Sequence, residues 1–100
     1  MSVKSYKIII ATRFQQELNE ILDFIALQSL DEARKFKNGL YAKIATLALM
    51  PRRCRRNLVA NDENVRDLIY KGYVVVFGVD DDKACVEVLG IYKANVWGFE

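Results

Sequence analysis

The sequence predicts an α+β fold in the order β-α-α-β-β-β: an antiparallel helical hairpin packed on one face of a four-stranded, mainly antiparallel sheet. Three observations carry this reading. A short β-branched run opens the chain, and two segments of helical apolar periodicity follow, each preceded by a helix-start signal. Beyond residue 64 the pattern changes to short alternating runs punctuated by turn residues. With 100 residues, 52% of them hydrophobic, and a single proline, the chain suits one domain over 1–100 with one modest core.

Residues 5–11 (SYKIIIA) are β-branched and too short for a stable helix, which gives the first strand. Thr12 and Gln15 have the spacing of a T-x-x-Q capping box. Phe14, Leu18, Ile21, Leu22 and Ile25 then fall on one helical stripe, with polar residues around much of the rest. A second box, Ser29 with Glu32, opens another helix whose apolar positions are Ala33, Phe36, Leu40, Ile44 and Leu47, and Pro51 is expected to end it. So short a link between helices favours antiparallel packing. Gly39, inside the second helix, is unfavourable there by about 0.5–1 kcal/mol relative to Ala, which points to a close contact with a helix or the sheet. After the polar stretch 57–64, residues 65–70, 72–79 and 85–92 read as three strands, separated by turns at Lys71-Gly72 and Asp80-Asp81-Asp82-Lys83. The sheet face away from the helices is then partly exposed, and a functional surface belongs there.

The composition also excludes chemistry. There is no histidine, so an imidazole base, a Ser-His-Asp relay and a His-ligated metal are ruled out within one chain. Cys54 and Cys85 lack the spacing of a zinc site or a redox pair and read as ordinary reduced thiols, so no metal or cofactor is implied. The longest apolar runs, 8–11 and 74–79, fall far short of the ~20 residues of a membrane span, and the N-terminus has no signal-peptide pattern. A soluble, cytoplasmic protein without a membrane partner is expected.

The net charge of +2 conceals a division. Residues 1–56 hold eleven Lys and Arg against five Asp and Glu, while residues 57–100 hold four against eight. Positive charge is densest at Arg52, Arg53, Arg55 and Arg56, enough for several bidentate phosphate contacts, and suggests a partner carrying negative charge. The same four residues also complement the negative end of the preceding helix. Arg66 opens a strand, where a solvated or ion-paired arginine is the commoner outcome. Tyr92, Lys93 and Trp97 cluster a phenol, an ammonium and an indole at the end of the last strand; packing suits the aromatic bulk, and a Tyr beside a Lys can also supply an activated phenol.

Taken together, these features resemble the RelE/ParE superfamily of bacterial type II toxin–antitoxin toxins. The resemblance runs from the Tyr6-Lys7-Ile8 strand start to Trp97. It includes Ala33-x-x-Phe36 opening the second helix, Leu49-Met50-Pro51 followed by basic residues, the Val65-Arg66-Asp67-Leu68-Ile69-Tyr70 strand, the strand over 73–77, and Val88-Leu89-Gly90-Ile91. It implies a growth-arresting toxin neutralised by a cognate antitoxin, which lays an amphipathic segment over the hairpin or the open sheet face, in a complex that assembles further. Two activities occur in the superfamily. RelE-like members cut mRNA on the ribosome with Arg, Lys, Tyr, His or Glu side chains on the open sheet face, and ParE-like members inhibit DNA gyrase.

By that resemblance this chain has Val74 where RelE-like nucleases often carry Arg, and Tyr92, Lys93 and Trp97 where they often carry a His-Arg pair followed by Tyr. Losing an arginine removes charge stabilisation of a phosphate transition state. With the missing histidine and the long hairpin, these departures favour the ParE-like reading, a plasmid-stabilising gyrase inhibitor whose target contacts would be Arg52, Arg53, Arg55, Arg56, Lys71 and Trp97. The alternative is a metal-independent mRNA interferase using Arg66, Tyr92 and Lys93. A second alternative, from another class, is a nontoxic nucleic-acid-binding module.

Overall fold

A computed structural model describes residues 5–94. Strand β1 (Lys7–Ile10) leads into α1 (Thr12–Ala26), and three residues later α2 (Leu30–Ala45) returns antiparallel to it. Two 3-10 turns, Thr46–Ala48 and Pro51–Arg53, precede β2 (Arg55–Arg56), β3 (Val65–Tyr70), β4 (Tyr73–Asp80) and β5 (Cys85–Lys93). The architecture is the expected α+β hairpin on a sheet, with one strand more than the sequence announces: the sheet is five-stranded, in the order β1-β5-β4-β3-β2. The extra strand is the two-arginine segment β2, which pairs antiparallel with β3 through Arg55↔Asp67 and Arg56↔Arg66. Two residues have no periodicity to read, and their charge suits an edge that must not recruit another strand.

Only β1 runs parallel to its neighbour, from Lys7↔Cys85 to Ile10↔Val88, while β3, β4 and β5 form an antiparallel meander. The β3–β4 turn is the tight one anticipated, with Lys71 and Gly72 both at positive φ (47° and 84°), the geometry a two-residue hairpin needs. A bulge interrupts the β4–β5 ladder: Val76 pairs with Gly90 and Phe77 with Val88, leaving Leu89 as the extra residue.

Two helix signals resolve differently from the sequence reading. The N-cap of α1 is Ala11, with no side-chain cap, and Thr12 already lies inside the helix. The Ala11 N–H donates to the Val88 carbonyl (2.9 Å) while the Ala11 carbonyl accepts from Gln15 N–H (3.2 Å), so pinning to β5 fixes the helix start and the T-x-x-Q box does not cap it. Pro51 does not end α2 either. That helix stops at Ala45 and tightens into the first 3-10 turn, where Thr46 Oγ1 donates to the Lys43 carbonyl (2.6 Å), and Pro51 instead begins the second turn. The Ser29 cap forms as read, its side chain accepting from the Glu32 N–H at 3.1 Å.

The core lies between hairpin and sheet. Phe14 and Leu18 from α1, Phe36, Leu40 and Ile44 from α2, and Leu47 meet Leu68, Val75, Phe77, Val79, Val86, Val88 and Ile91. Each fully buried side chain of this size contributes about 1.5–3 kcal/mol. Strand alternation turns Val65, Asp67 and Ile69 of β3, Val74, Val76 and Gly78 of β4, and Tyr92 of β5 to the opposite face. No helix among the described residues is long and apolar enough to cross a membrane.

Candidate target-binding face

The face away from the hairpin carries two adjoining depressions of opposite character. One, about 760 Å³, is bordered by Asp62, Asp80, Asp81, Asp82 and Glu87 near the β4–β5 turn. The other, about 700 Å³, is largely apolar: Val65, Val76, Leu89, Ile91 and Tyr92 meet the β2–β3 loop at Val59 and Ala60, with Arg13 and Glu17 closing an end. Glu17 is held in place from both sides. It accepts from the Ile91 N–H (2.9 Å) and pairs with Arg13 Nε (3.1 Å), satisfying a donor on β5 beyond Val88, where pairing with β1 stops.

The arginines of the basic segment do different jobs. Arg52 is a strut: Nη2 donates to Asn64 Oδ1 (2.7 Å) and Asp81 Oδ2 (2.8 Å), and Asp81 in turn accepts from the Tyr6 hydroxyl (2.6 Å). That hydrogen bond to Asp81 is the main reason the Tyr6 phenol is raised above its ordinary pKa. Arg55 pairs with the buried Asp67 carboxylate at 3.4 Å. Arg53 and Arg56 are exposed and have no carboxylate partner among the described residues, Arg53 reaching only the Met50 sulfur at 3.9 Å. Lys71, in its turn, lies 5.6 Å from the centre of the Tyr70 ring. Trp97 falls outside the described residues.

Arg66, Tyr92 and Lys93 are not brought together. Arg66 pairs with Phe77, so its side chain leaves the sheet on the hairpin side. Its guanidinium is committed to backbone carbonyls of Glu63 (2.9 Å), Cys54 (3.1 Å) and Arg52 (3.4 Å), rather than to Asp67 or Asp80. Lys93 pairs with Tyr73, whose ring packs on Phe36, and so also lies on the hairpin side. Tyr92, half exposed, stands on the open face opposite Val74. Four residues of β3 separate the Arg66 row from the Tyr70–Tyr73 row that Lys93 extends, roughly 14 Å.

The residues that shape this face most were not singled out by the sequence. Asn57 and Asp67 are the buried polar pair of the described structure, and Asn57 Nδ2 donates to Asp67 Oδ1 at 2.8 Å. An aspartate amid the apolar run of β3 was the available signal. Nearby, Cys54 is half-buried, and burial pushes its thiol above the ordinary range despite Lys43, Arg66 and Arg53. No group of acidic and cysteine side chains able to hold a metal occurs among the described residues.

Residues 8–95 match the family profile described as the ParE toxin of the type II toxin–antitoxin system, parDE. Among solved structures, the chain resembles one from the chromosomal ParDE toxin–antitoxin system of P. aeruginosa, with TM-score 0.74 and 15% identity, covering 92% of this chain and 99% of that one. It also resembles a chain of the RelBE2 toxin–antitoxin complex of Mycobacterium tuberculosis, with TM-score 0.60 and 15% identity, covering 92% and 94% respectively. At such identity the two structures share the fold. Comparison with curated protein sequences gives no match.

Proposed function

The chain belongs to the ParE toxin family of type II toxin–antitoxin systems, and from that premise we propose that it arrests growth by binding and inhibiting DNA gyrase in the cytoplasm, without cutting RNA. The observation that carries this reading is the separation of Arg66, Tyr92 and Lys93 across two faces and roughly 14 Å of sheet. General acid, general base and phosphate clamp must all lie within hydrogen-bond reach of one reacting centre. Arg66, moreover, is already engaged by three carbonyls. Inhibition by binding needs only a surface.

A cognate antitoxin is the second partner, as in the ParDE and RelBE2 systems that share the fold. The apolar groove walled by Val59, Val76 and Leu89 gives an amphipathic segment a place to lie. Two assays with purified protein test the reading: gyrase supercoiling, and cleavage of mRNA on programmed ribosomes. Inhibited supercoiling with intact transcripts is expected, and addition of antitoxin should relieve it. Codon-positioned cleavage abolished by Arg66→Ala would replace this reading with the interferase one. Nucleic-acid binding without growth arrest would replace both.

A further inference from the structure

Leu58 and Val59, adjacent on the β2–β3 loop, are 90% and 93% exposed. Single aliphatic side chains on a surface need no explanation. This pair differs in the framework beneath it. Asn57 is buried and all its polar groups are used: its N–H donates to the Val65 carbonyl (2.9 Å), its Oδ1 accepts from the N–H groups of Val59 (3.0 Å) and Ala60 (2.8 Å), and its Nδ2 holds Asp67. Asp67, only 6% exposed, also takes Arg55 at 3.4 Å. A buried carboxylate is a poor source of stability, because desolvation offsets most of what its pairing returns. What this network secures is one backbone geometry for an apolar tip.

We infer that Leu58 and Val59, backed by Arg53 and Arg56, form the contact by which the chain grips the protein it inhibits, and that the matching surface is an apolar recess rimmed with carboxylates. Charge complementarity selects this occupant. The tip follows the two arginines left without carboxylate partners, so the surface that receives it must supply acid. Aliphatic side chains offer neither hydrogen bonds to a phosphate backbone nor a stacking platform to a base, which disfavours nucleic acid. A second copy meeting tip to tip would bring like charges together. The inference rests on the reading that the target is a protein.

The test compares the full-length chain with Leu58→Ser/Val59→Ser, which leaves the backbone donors to Asn57 in place, and with Arg53→Ser/Arg56→Ser. The first variant should need about tenfold more protein for half-inhibition of supercoiling, with unchanged thermal midpoint and antitoxin affinity. The second should weaken inhibition most at low salt. Wild-type potency in the first variant overturns the inference, as does a parallel loss of antitoxin binding, which would make the tip an antitoxin contact. Loss of duplex DNA or RNA binding in the arginine variant, with the tip variant silent, also overturns it. If the wild-type chain does not inhibit gyrase, the gyrase reading fails on its own, and growth arrest in cells then judges the tip. A Leu58→Ser/Val59→Ser chain that still arrests growth overturns the inference, and one that binds antitoxin but no longer arrests growth supports it.

Discussion

At Gly39 the second helix comes so near β3 that the Tyr70 hydroxyl occupies the space a Cβ would need. The Tyr70 ring cannot swing away easily, being packed edge-to-face on Phe36 with centroids 5.3 Å apart. Gly39→Ala therefore sets about 1 kcal/mol of helix propensity against an overpacking cost of about 1–3 kcal/mol, and the variant should melt at a lower temperature than the wild type. Removing the hydroxyl as well should restore part of the loss, so Gly39→Ala/Tyr70→Phe should melt above Gly39→Ala alone. Tyr6 offers a residue-scale test by pH. Its phenol is raised chiefly by donating to Asp81, so the folded state holds the proton more tightly than the unfolded chain. The stability from that bond is fully present below the ordinary phenol range and is lost as pH rises through the higher folded value. Denaturation followed from neutral pH to above about pH 10 should show that loss in the wild type and a flatter profile in Tyr6→Phe.

Among the elements, those written as periodic patterns were legible and those fixed by tertiary contact were not. The α1 stripe, the Ser29 cap and the β3–β4 turn are local, and each appears as the residues announce it. Thr12 and Gln15 misled because a capping box competes with the sheet: once the Ala11 N–H is taken by Val88, the helix begins one residue earlier than its best capping residue. Strand β2 escaped notice because its pairing is dictated by β3, and the polar stretch 57–64 looked solvated although Asn57 at its start is buried. As for the site, the sequence located the open face and the arginines, but it could not sort the arginines into struts and exposed cations. That division depends on which carboxylate each one meets. The network makes an element-scale prediction. Asp67→Ala strands the Asn57 amide and the Arg55 guanidinium, so it should cost about 1–3 kcal/mol in chemical denaturation. It should also speed hydrogen exchange at the Val59 and Ala60 amides, which Asn57 accepts.

Across the whole molecule, the basic first half and acidic second half of the sequence do not become two lobes. The fold interleaves them, with Arg52 bridging to Asp81 and Arg55 to Asp67, so much of the apparent positive segment is neutralised where it stands. The acidic depression at Asp80, Asp81 and Asp82 adjoins the apolar groove on the same face, which makes that face inhospitable to a long polyanion and leaves the net positive field to Arg53 and Arg56. Replacing all four arginines together would confound two effects, and separate variants resolve them. Arg52→Ser should lower the thermal midpoint modestly, by the equivalent of about 1 kcal/mol or less, because its partners are partly solvated. It should leave the salt dependence of target association nearly unchanged. Arg53→Ser/Arg56→Ser should do the reverse, keeping the midpoint while slowing association at low ionic strength and flattening its dependence on salt, since exposed charges act mainly on encounter. Association rates measured across a salt series, beside melting curves for both variants, check the division: a steep salt dependence that survives in Arg53→Ser/Arg56→Ser would place the steering charge elsewhere on the molecule.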